Sequence, residues 1–399
     1  MSQTPGKNPY RPGVGTRPAF LAGREAALRR FDALLRGAPE QAANLRVTGL
    51  RGVGKTVLLA EYAEKARAAG WVVVSLEVGP RHGTEGALVE TAAARLAEAR
   101  MALSRVARIK TVIGHAGRAA GRIGVSYDDI KVSVDMGTTS SNDAAQRLAR
   151  DFYDTLVLVA KHGQAGLLLL LDEAQVLRDE RDRTGAHPLS LLISTVSALQ
   201  RSEPPLAIGL VLCGLPTLIG NLLRARSYTE RMFRGEEVGR LDDEAARAAF
   251  SEPLRNSGIG ADENLIASVV KEVEGYPYFV QLWGAELWDA AQAAGLTRLE
   301  LRLLKVVRSD IHRRLDLDFY APRIDTLTPA EQDVLLATAS CRYPPLRADD
   351  LKTHLEKTPG NVNVLLGRLV EAGVLFRLRK GEYDYTAPKF REYLLRRKP

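Results

Sequence analysis

The sequence is short of most of the residues that specialised chemistry draws on. Its 399 residues include two cysteines, Cys213 and Cys341, far apart and outside any CxxC spacing. Neither a disulfide framework nor a cysteine zinc site is available, and a reducing compartment fits. The six histidines are scattered without an HExxH, and no GxSxG occurs, so zinc-protease and serine-hydrolase signatures are absent. The most apolar stretches, Leu167 to Leu171 and Ala207 to Pro216, fall far short of the roughly 20 residues that cross a bilayer as a helix. The opening "MSQTPGKNPYRPGVGTRP" has no apolar signal core. The expectation is a cytoplasmic protein with no membrane segment. Acidic residues are the scarcer sign, 48 against 56 Lys and Arg, which permits a polyanionic partner without naming one.

What is present is ordinary globular material. With 45% hydrophobic and 26% charged residues the chain lies outside the disordered range. Its length exceeds what a single hydrophobic core serves. From Asn44 apolar strand-like runs alternate with helical periodicity: Leu45 to Thr48 then Lys55 to Ala69, Trp71 to Val78, Gly166 to Leu171 then Pro188 to Gln200, and Leu206 to Leu212 then Pro216 to Arg224. That alternation predicts an α/β fold, a parallel sheet flanked by helices. Four segments are expected: a flexible basic arm over 1–17, an α/β core over 18–241, a helical lid over 242–318 and a C-terminal winged-helix domain over 325–399. Within the core, 79–165 is an elaborated insertion with an Ala-rich helical half and a short alternating stretch, "IKVSVDMG", that suits a hairpin strand. The lid rests on helical patterns from Asp242 to Leu315, and "LDLDFYAPRIDTLTP" breaks that pattern. Thr328, Pro329 and Glu331 then give a helix-start signal. Helix, helix, helix and two strands around Lys380-Gly381 form a winged-helix order.

One motif carries chemistry. Between the strand ending at Thr48 and the helix from Lys55 stands "GLRGVGKT", Gly49 to Thr56, which matches GxxxxGK[ST]. Glycines at 49, 52 and 54 let the backbone N–H groups of Leu50, Arg51, Val53 and their neighbours point at phosphate oxygens, and the helix adds its positive end. Lys55 neutralises the outer phosphates, and the Thr56 hydroxyl is a ligand for Mg²⁺. A dinucleotide site fits less well, because Val57 stands where GxGxxG needs its third glycine. The second half of the site is "LLLLLDEAQ", Leu167 to Gln175, a buried strand with Asp172 at its carboxyl end to hold Mg²⁺ and Glu173 to activate water for in-line attack. GTP is disfavoured by the lack of an NKxD base-reading string. ATP and Mg²⁺ are the expected cofactors.

These two motifs resemble the AAA+ and STAND branch of P-loop ATPases, and "FLAGRE", Phe20 to Glu25, is similar to the entry box of the origin-recognition-like (archaeal replication-initiator-like) subgroup, in which a C-terminal winged helix often follows. The resemblance implies that Phe20, Leu21 and Gly23 wrap the adenine, and that the "EGYPYFVQLWG" lid segment brings Gly275 and Pro277 over the nucleotide. Helix punctuation explains both stretches equally well, with Pro277 as a first-turn proline. Two departures stand out. The strand end "VLCGLPTL" offers Cys213, Gly214 and Thr217 where the family has a polar sensor, and the GYP segment lacks the lid arginine of AAA+ proteins.

Arg231 and Arg234 in "YTERMFRGEEV" are candidates for an arginine acting on a neighbouring subunit's nucleotide, or else solvated partners of Glu236 and Glu237. Residues 100–122 carry Arg100, Arg105, Arg108, Lys110, Arg118 and Arg122 with no acidic residue, which reads as a polyanion track or a solvated helix face. In the terminal domain Asn361 and Asn363 open the third helix, and Arg377, Arg379, Lys380, Arg396, Arg397 and Lys398 are basic. Duplex DNA is a candidate partner there, as is a protein-docking or structural role. The reading is an ATP-binding switch and slow Mg-dependent ATPase, assembling with itself or a protein partner. An ATP-licensed DNA-binding initiator and a STAND-type signalling or defence scaffold are the alternatives.

Overall fold

The computed structural model describes residues 7–13, 15–112, 139–180, 182, 185–355 and 359–397. The chain divides into two compact units, one formed by Arg24–Gly49 with Lys55–Val238 and the other by Met1–Gly23, Leu50–Gly54 and Gly239–Pro399.

The first unit runs α1 (Glu25–Arg36), β1 (Ala43–Thr48), α2 (Lys55–Ala68), β2 (Trp71–Glu77), α3 (Glu85–Val112), α4 (Thr139–Lys161), β3 (Gly166–Asp172), α5 (Pro188–Gln200), β4 (Ile208–Gly214), α6 (Thr217–Ala225), α7 (Thr229–Met232) and β5 (Arg234–Glu237). All pairings among its five strands are parallel, in the order β2-β3-β4-β1-β5. A parallel sheet covered on both faces needs strands that are apolar throughout. β3 meets this with every residue buried, and each of its five leucines contributes about 1.5–3 kcal/mol on burial. Leu171 pairs with Leu212 and Thr48 with Gly214, so the carboxyl ends of β1, β3 and β4 finish side by side. Ligands bind at that rim in open α/β sheets.

The 79–165 segment is built largely of α3 and α4, whose Leu88, Leu96, Leu148, Phe152 and Leu156 join the core over β2 and β3. The proposed "IKVSVDMG" strand, residues 130–137, lies outside the described residues. Arg100 donates to the Asp151 carbonyl at 3.1 Å and to Thr155 Oγ1 at 3.0 Å, and pairs with the Asp151 carboxylate at 3.3 Å. It is a clasp between the two helices rather than part of a free basic track. Arg105 is exposed, while the side chains of Arg108, Lys110, Arg118 and Arg122 lie outside the described set.

The second unit continues with α8 (Asp243–Asn256), β6 (Gly260–Ala261), α9 (Glu263–Val273), α10 (Pro277–Ala293), β7 (Arg298–Leu299), α11 (Leu301–Arg314), α12 (Ala321–Asp325), α13 (Pro329–Thr338), β8 (Leu346–Arg347), α14 (Ala348–His354), α15 (Pro359–Glu371), β9 (Leu375–Arg379), β10 (Glu382–Tyr385) and α16 (Phe390–Arg397). Asp242 caps α8 by accepting the Ala245 N–H at 2.7 Å. Thr328 and Glu331 close a reciprocal capping box on α13, with the Thr328 N–H at 2.9 Å from Glu331 Oε2. β8, β10 and β9 form an antiparallel sheet in that order.

Two expectations differ from what this unit shows. "LDLDFYAPRIDTLTP" does not break the helix at Leu315: Leu315–Tyr320 widens into a π-helical turn that runs into α12, where Pro322 occupies a first-turn position that costs no hydrogen bond. Residues 8–11 are likewise no flexible arm. Tyr10 is 3% exposed, stacks on Phe250 at 5.7 Å and hydrogen-bonds the Phe250 carbonyl, and Asn8 reaches the Ala285 carbonyl and Asp289 of α10 at 3.1 and 2.9 Å. A buried aromatic outweighs the local bias of its Pro- and Gly-rich surroundings. A Cβ on Gly284 would overlap the Tyr10 ring, so Gly284→Ala is expected to lower stability by about 1–3 kcal/mol through overpacking, read by urea denaturation of the nucleotide-free protein. An unchanged midpoint would show that the arm does not pack there. Among the described residues no helix is long and apolar enough to cross a membrane.

Candidate functional site

The glycine motif forms where β1 ends. The Gly49 N–H donates to the Gly214 carbonyl at 3.2 Å, tying the loop's entrance to β4. Gly52 and Gly54 have φ of +79° and +92°, in the left-handed region that glycine enters without penalty. The intended backbone cradle therefore depends on glycine at these two positions. Lys55 opens α2 and is 6% exposed. Beside it, Thr56 Oγ1 donates to Asp172 Oδ2 at 2.7 Å across 116 positions of sequence. The parallel register thus brings the first turn of α2 onto the carboxyl end of β3. A hydroxyl and a carboxylate this close are hard oxygen donors suited to a Mg²⁺ that keeps most of its waters.

Glu173 follows with φ 54° and ψ 30°, a left-handed conformation that a non-glycine residue adopts at a cost of about 1–3 kcal/mol. Its N–H is held by Asp172 Oδ1 at 2.9 Å. The Gln175 side-chain amide donates to the Glu173 carboxylate, and Gln175 Oε1 accepts the Leu215 N–H at 3.0 Å. Asn221 of α6 in turn donates to the Gln175 carbonyl at 2.9 Å. Gln175, 7% exposed, therefore links the carboxylate expected to activate water to the end of β4, where the sequence offers only Cys213, Gly214 and Thr217. The sequence reasoning missed it because a glutamine has no diagnostic spacing. The one available signal was its place in the same DEAQ string. Cys213 itself is buried against Asp172, and burial first, then that carboxylate, pushes its thiol pKa up.

The remaining candidates are more dispersed. Arg231 and Arg234 are both exposed, on α7 and β5, and Arg234 reaches only Gln41 Oε1 at 3.4 Å. Glu236 is engaged elsewhere, in a bidentate pair with Arg30 at 2.9 and 2.7 Å. Leu50, Val57, Phe20, Leu21 and Pro277 are half-buried, Arg51 is exposed, and Val53 is buried. Gly23 has φ +67°, and a Cβ there would meet Ala245 at 2.9 Å. Gly275, at φ +69°, follows a left-handed Glu274 that ends α9, and its carbonyl accepts the Leu241 N–H at 2.7 Å.

Much of the terminal basic charge is already partnered. Arg379 forks onto Glu382 at 2.6 and 2.9 Å, Arg377 lies over Tyr383, Arg396 pairs with Asp316 at 2.6 Å and Arg397 with Asp325 at 3.4 Å. Lys380 is exposed, and Lys398 lies outside the described residues. On α15, Asn361 and Asn363 are exposed while Val362, Leu365, Leu366 and Leu369 are buried.

Residues 21–208 match the family described as AAA ATPase domain, and residues 317–394 match a domain of unknown function, DUF8462. No protein of curated function matches the chain. Among solved structures, a Walker-type ATPase of Pyrococcus abyssi is similar with a TM-score of 0.54 and 17% identity, covering 95% of this chain and 97% of that one. The ORC2 protein of Aeropyrum pernix, solved in ADPNP-ADP complexes, gives a TM-score of 0.54 at 13% identity, with 96% of each chain covered. At these identities the likeness is one of fold.

Proposed function

Because the chain carries an AAA ATPase domain, we propose that it is an ATP-binding switch that hydrolyses ATP slowly in the presence of Mg²⁺. The observation that carries this reading is the 2.7 Å hydrogen bond from Thr56 to Asp172, which joins the end of the phosphate loop to the end of β3 with Glu173 next in the chain. In this reading the loop amides and the Lys55 ammonium grip the phosphates, as an electropositive cradle at a helix N-terminus does. Thr56 and Asp172 would hold Mg²⁺, which when bound supplies positive charge against the phosphate oxygens. Glu173 orients the attacking water and accepts its proton. Binding of ATP by calorimetry, together with Mg-dependent phosphate release that stops with EDTA, tests the reading. Protein that binds no adenine nucleotide at any magnesium concentration overturns it.

Gln175 is the positioning residue in this scheme, since it holds the Glu173 carboxylate without reaching substrate. Gln175→Leu is expected to lower kcat about tenfold while leaving KM within about twofold, the signature of a lost hydrogen bond to a charged group that matters only during turnover. Equal changes in both constants would reduce Gln175 to a packing role.

The exposed Asn361 and Asn363 at the start of α15, in a segment ordered helix, strand, helix, helix and two antiparallel strands, support a winged-helix domain over 325–399 and a duplex-DNA partner as a second reading. The paired wing arginines weigh against a strong phosphate grip there. Duplex binding measured against salt concentration, with and without ATP, separates a DNA-binding regulator from a scaffold that only self-assembles, and Arg231 and Arg234 are the arginines to vary if assembly proves ATP-dependent.

A further inference from the structure

The phosphate loop carries an arginine that the chemistry above leaves unused. Arg51 is exposed at the loop's tip, and its Cζ stands 3.9 Å from where a Cβ on Gly373 would lie. The next residue, Gly52, is covered by Tyr276, whose Cε1 would be 2.6 Å from a Cβ placed there. The Tyr276 hydroxyl reaches the Thr386 carbonyl at 3.4 Å. A second guanidinium approaches the same tyrosine from α12. Arg323 Cζ lies 3.9 Å from the Phe319 ring centroid, and Phe319 stacks on Tyr278 at 5.8 Å with 8° between the planes. Arg323 Nη1 is buried without a hydrogen-bond partner. Burial lowers the Arg323 pKa, the Tyr276 hydroxyl opposes this, and the charge on Arg51 adds to the lowering, so the two cations lie within each other's field. Among the described residues neither is ion-paired, whereas the third arginine near Tyr276, Arg240, is held by Glu274 at 3.6 Å.

Two guanidinium groups brought together with no carboxylate, one with an unspent buried N–H, repel unless an anion joins them. Their forked donors match phosphate oxygens better than any other biological anion except a carboxylate. The place is set by the chain itself, because Arg51 belongs to the glycine loop. We propose that Arg51 and Arg323 together bind the outermost phosphate of a nucleoside triphosphate lying along that loop. The proposal rests on the ATP reading and deepens it, since the diphosphate has no group to offer the pair. It also supplies the cation that the GYP segment lacks. Tyr278, two residues beyond Tyr276, carries no charge but stacks on the ring that supports Arg323. The arginine therefore comes from beyond the lid helices, on the short helix that leads into α13.

The test compares binding of ADP and of a non-hydrolysable ATP analogue, each with Mg²⁺, to the full chain by calorimetry. Arg51→Gln and Arg323→Gln are each expected to reduce the preference for the triphosphate about tenfold while ADP affinity stays within about twofold. Arg323→Lys should recover part of the loss, since it keeps the charge without the fork. A preference unchanged in either glutamine variant overturns the pair, as does an equal loss for both nucleotides, which would mark a structural role for the Phe319 stack. Should Arg323→Gln fail to fold, the exposed Arg51→Gln decides the proposal alone. Wild-type protein that binds neither nucleotide overturns the ATP reading and this inference together, whereas wild type that binds both, with variant preferences unchanged, overturns only this inference.

Discussion

Lys55→Ala is expected to abolish ATP binding, weakening it about a hundredfold or more, as measured by calorimetry against the wild type. The ammonium stands at the first residue of α2 and is almost fully buried, so its interaction with phosphate is screened little by water. The same position makes the variant informative about cause. A cation at a helix N-terminus opposes the helix dipole, so removing it should leave the thermal midpoint of the nucleotide-free protein unchanged or raise it. Loss of binding with an intact or higher midpoint assigns Lys55 to the ligand. Loss of both would mean that Lys55 holds the fold.

Glu173→Gln should separate binding from turnover. The amide keeps the size and the neighbours of the carboxylate but cannot take a proton from water, and removing a general base costs about 10²–10⁴ in rate. ATP affinity should stay near the wild-type value, with phosphate release too slow to follow in a steady-state assay. Hydrolysis at the parental rate would remove Glu173 from the mechanism and leave Asp172 as the carboxylate to examine next.

The sequence announced the parts of this architecture that obey short-range rules. β3 was legible because five leucines in a row between Gly166 and Asp172 suit only a strand buried on both faces, and the loop because glycine at 49, 52 and 54 followed by Lys55 and Thr56 leaves few alternatives. Elements governed by distant partners were hidden. Gln175 acts through Leu215, 40 positions away. Tyr10 is buried by Phe250 and Gly284, whose identities say nothing about an N-terminal tyrosine. Arg323 lies in the stretch where Pro322 and the aspartates 316, 318 and 325 argue against a helix. The π-helical turn that continues α11 toward it depends on Tyr320 stacking between Phe390 and Tyr393 at 5.4 and 5.1 Å. The alternation of charge along residues 100–122 could not reveal that Arg100 belongs to a helix–helix clasp, because Asp151 and Thr155 arrive from the far side of the segment.

The two cysteines, noted first for their scarcity, turn out to be 0% and 1% exposed. Buried thiols of this kind are inert to alkylating reagents. The wild-type chain is therefore a ready background for site-specific labelling. A fluorophore or spin label attached through one added surface cysteine, on α15 or beside Arg231, would report from that point alone, with neither native sulfur needing replacement beforehand.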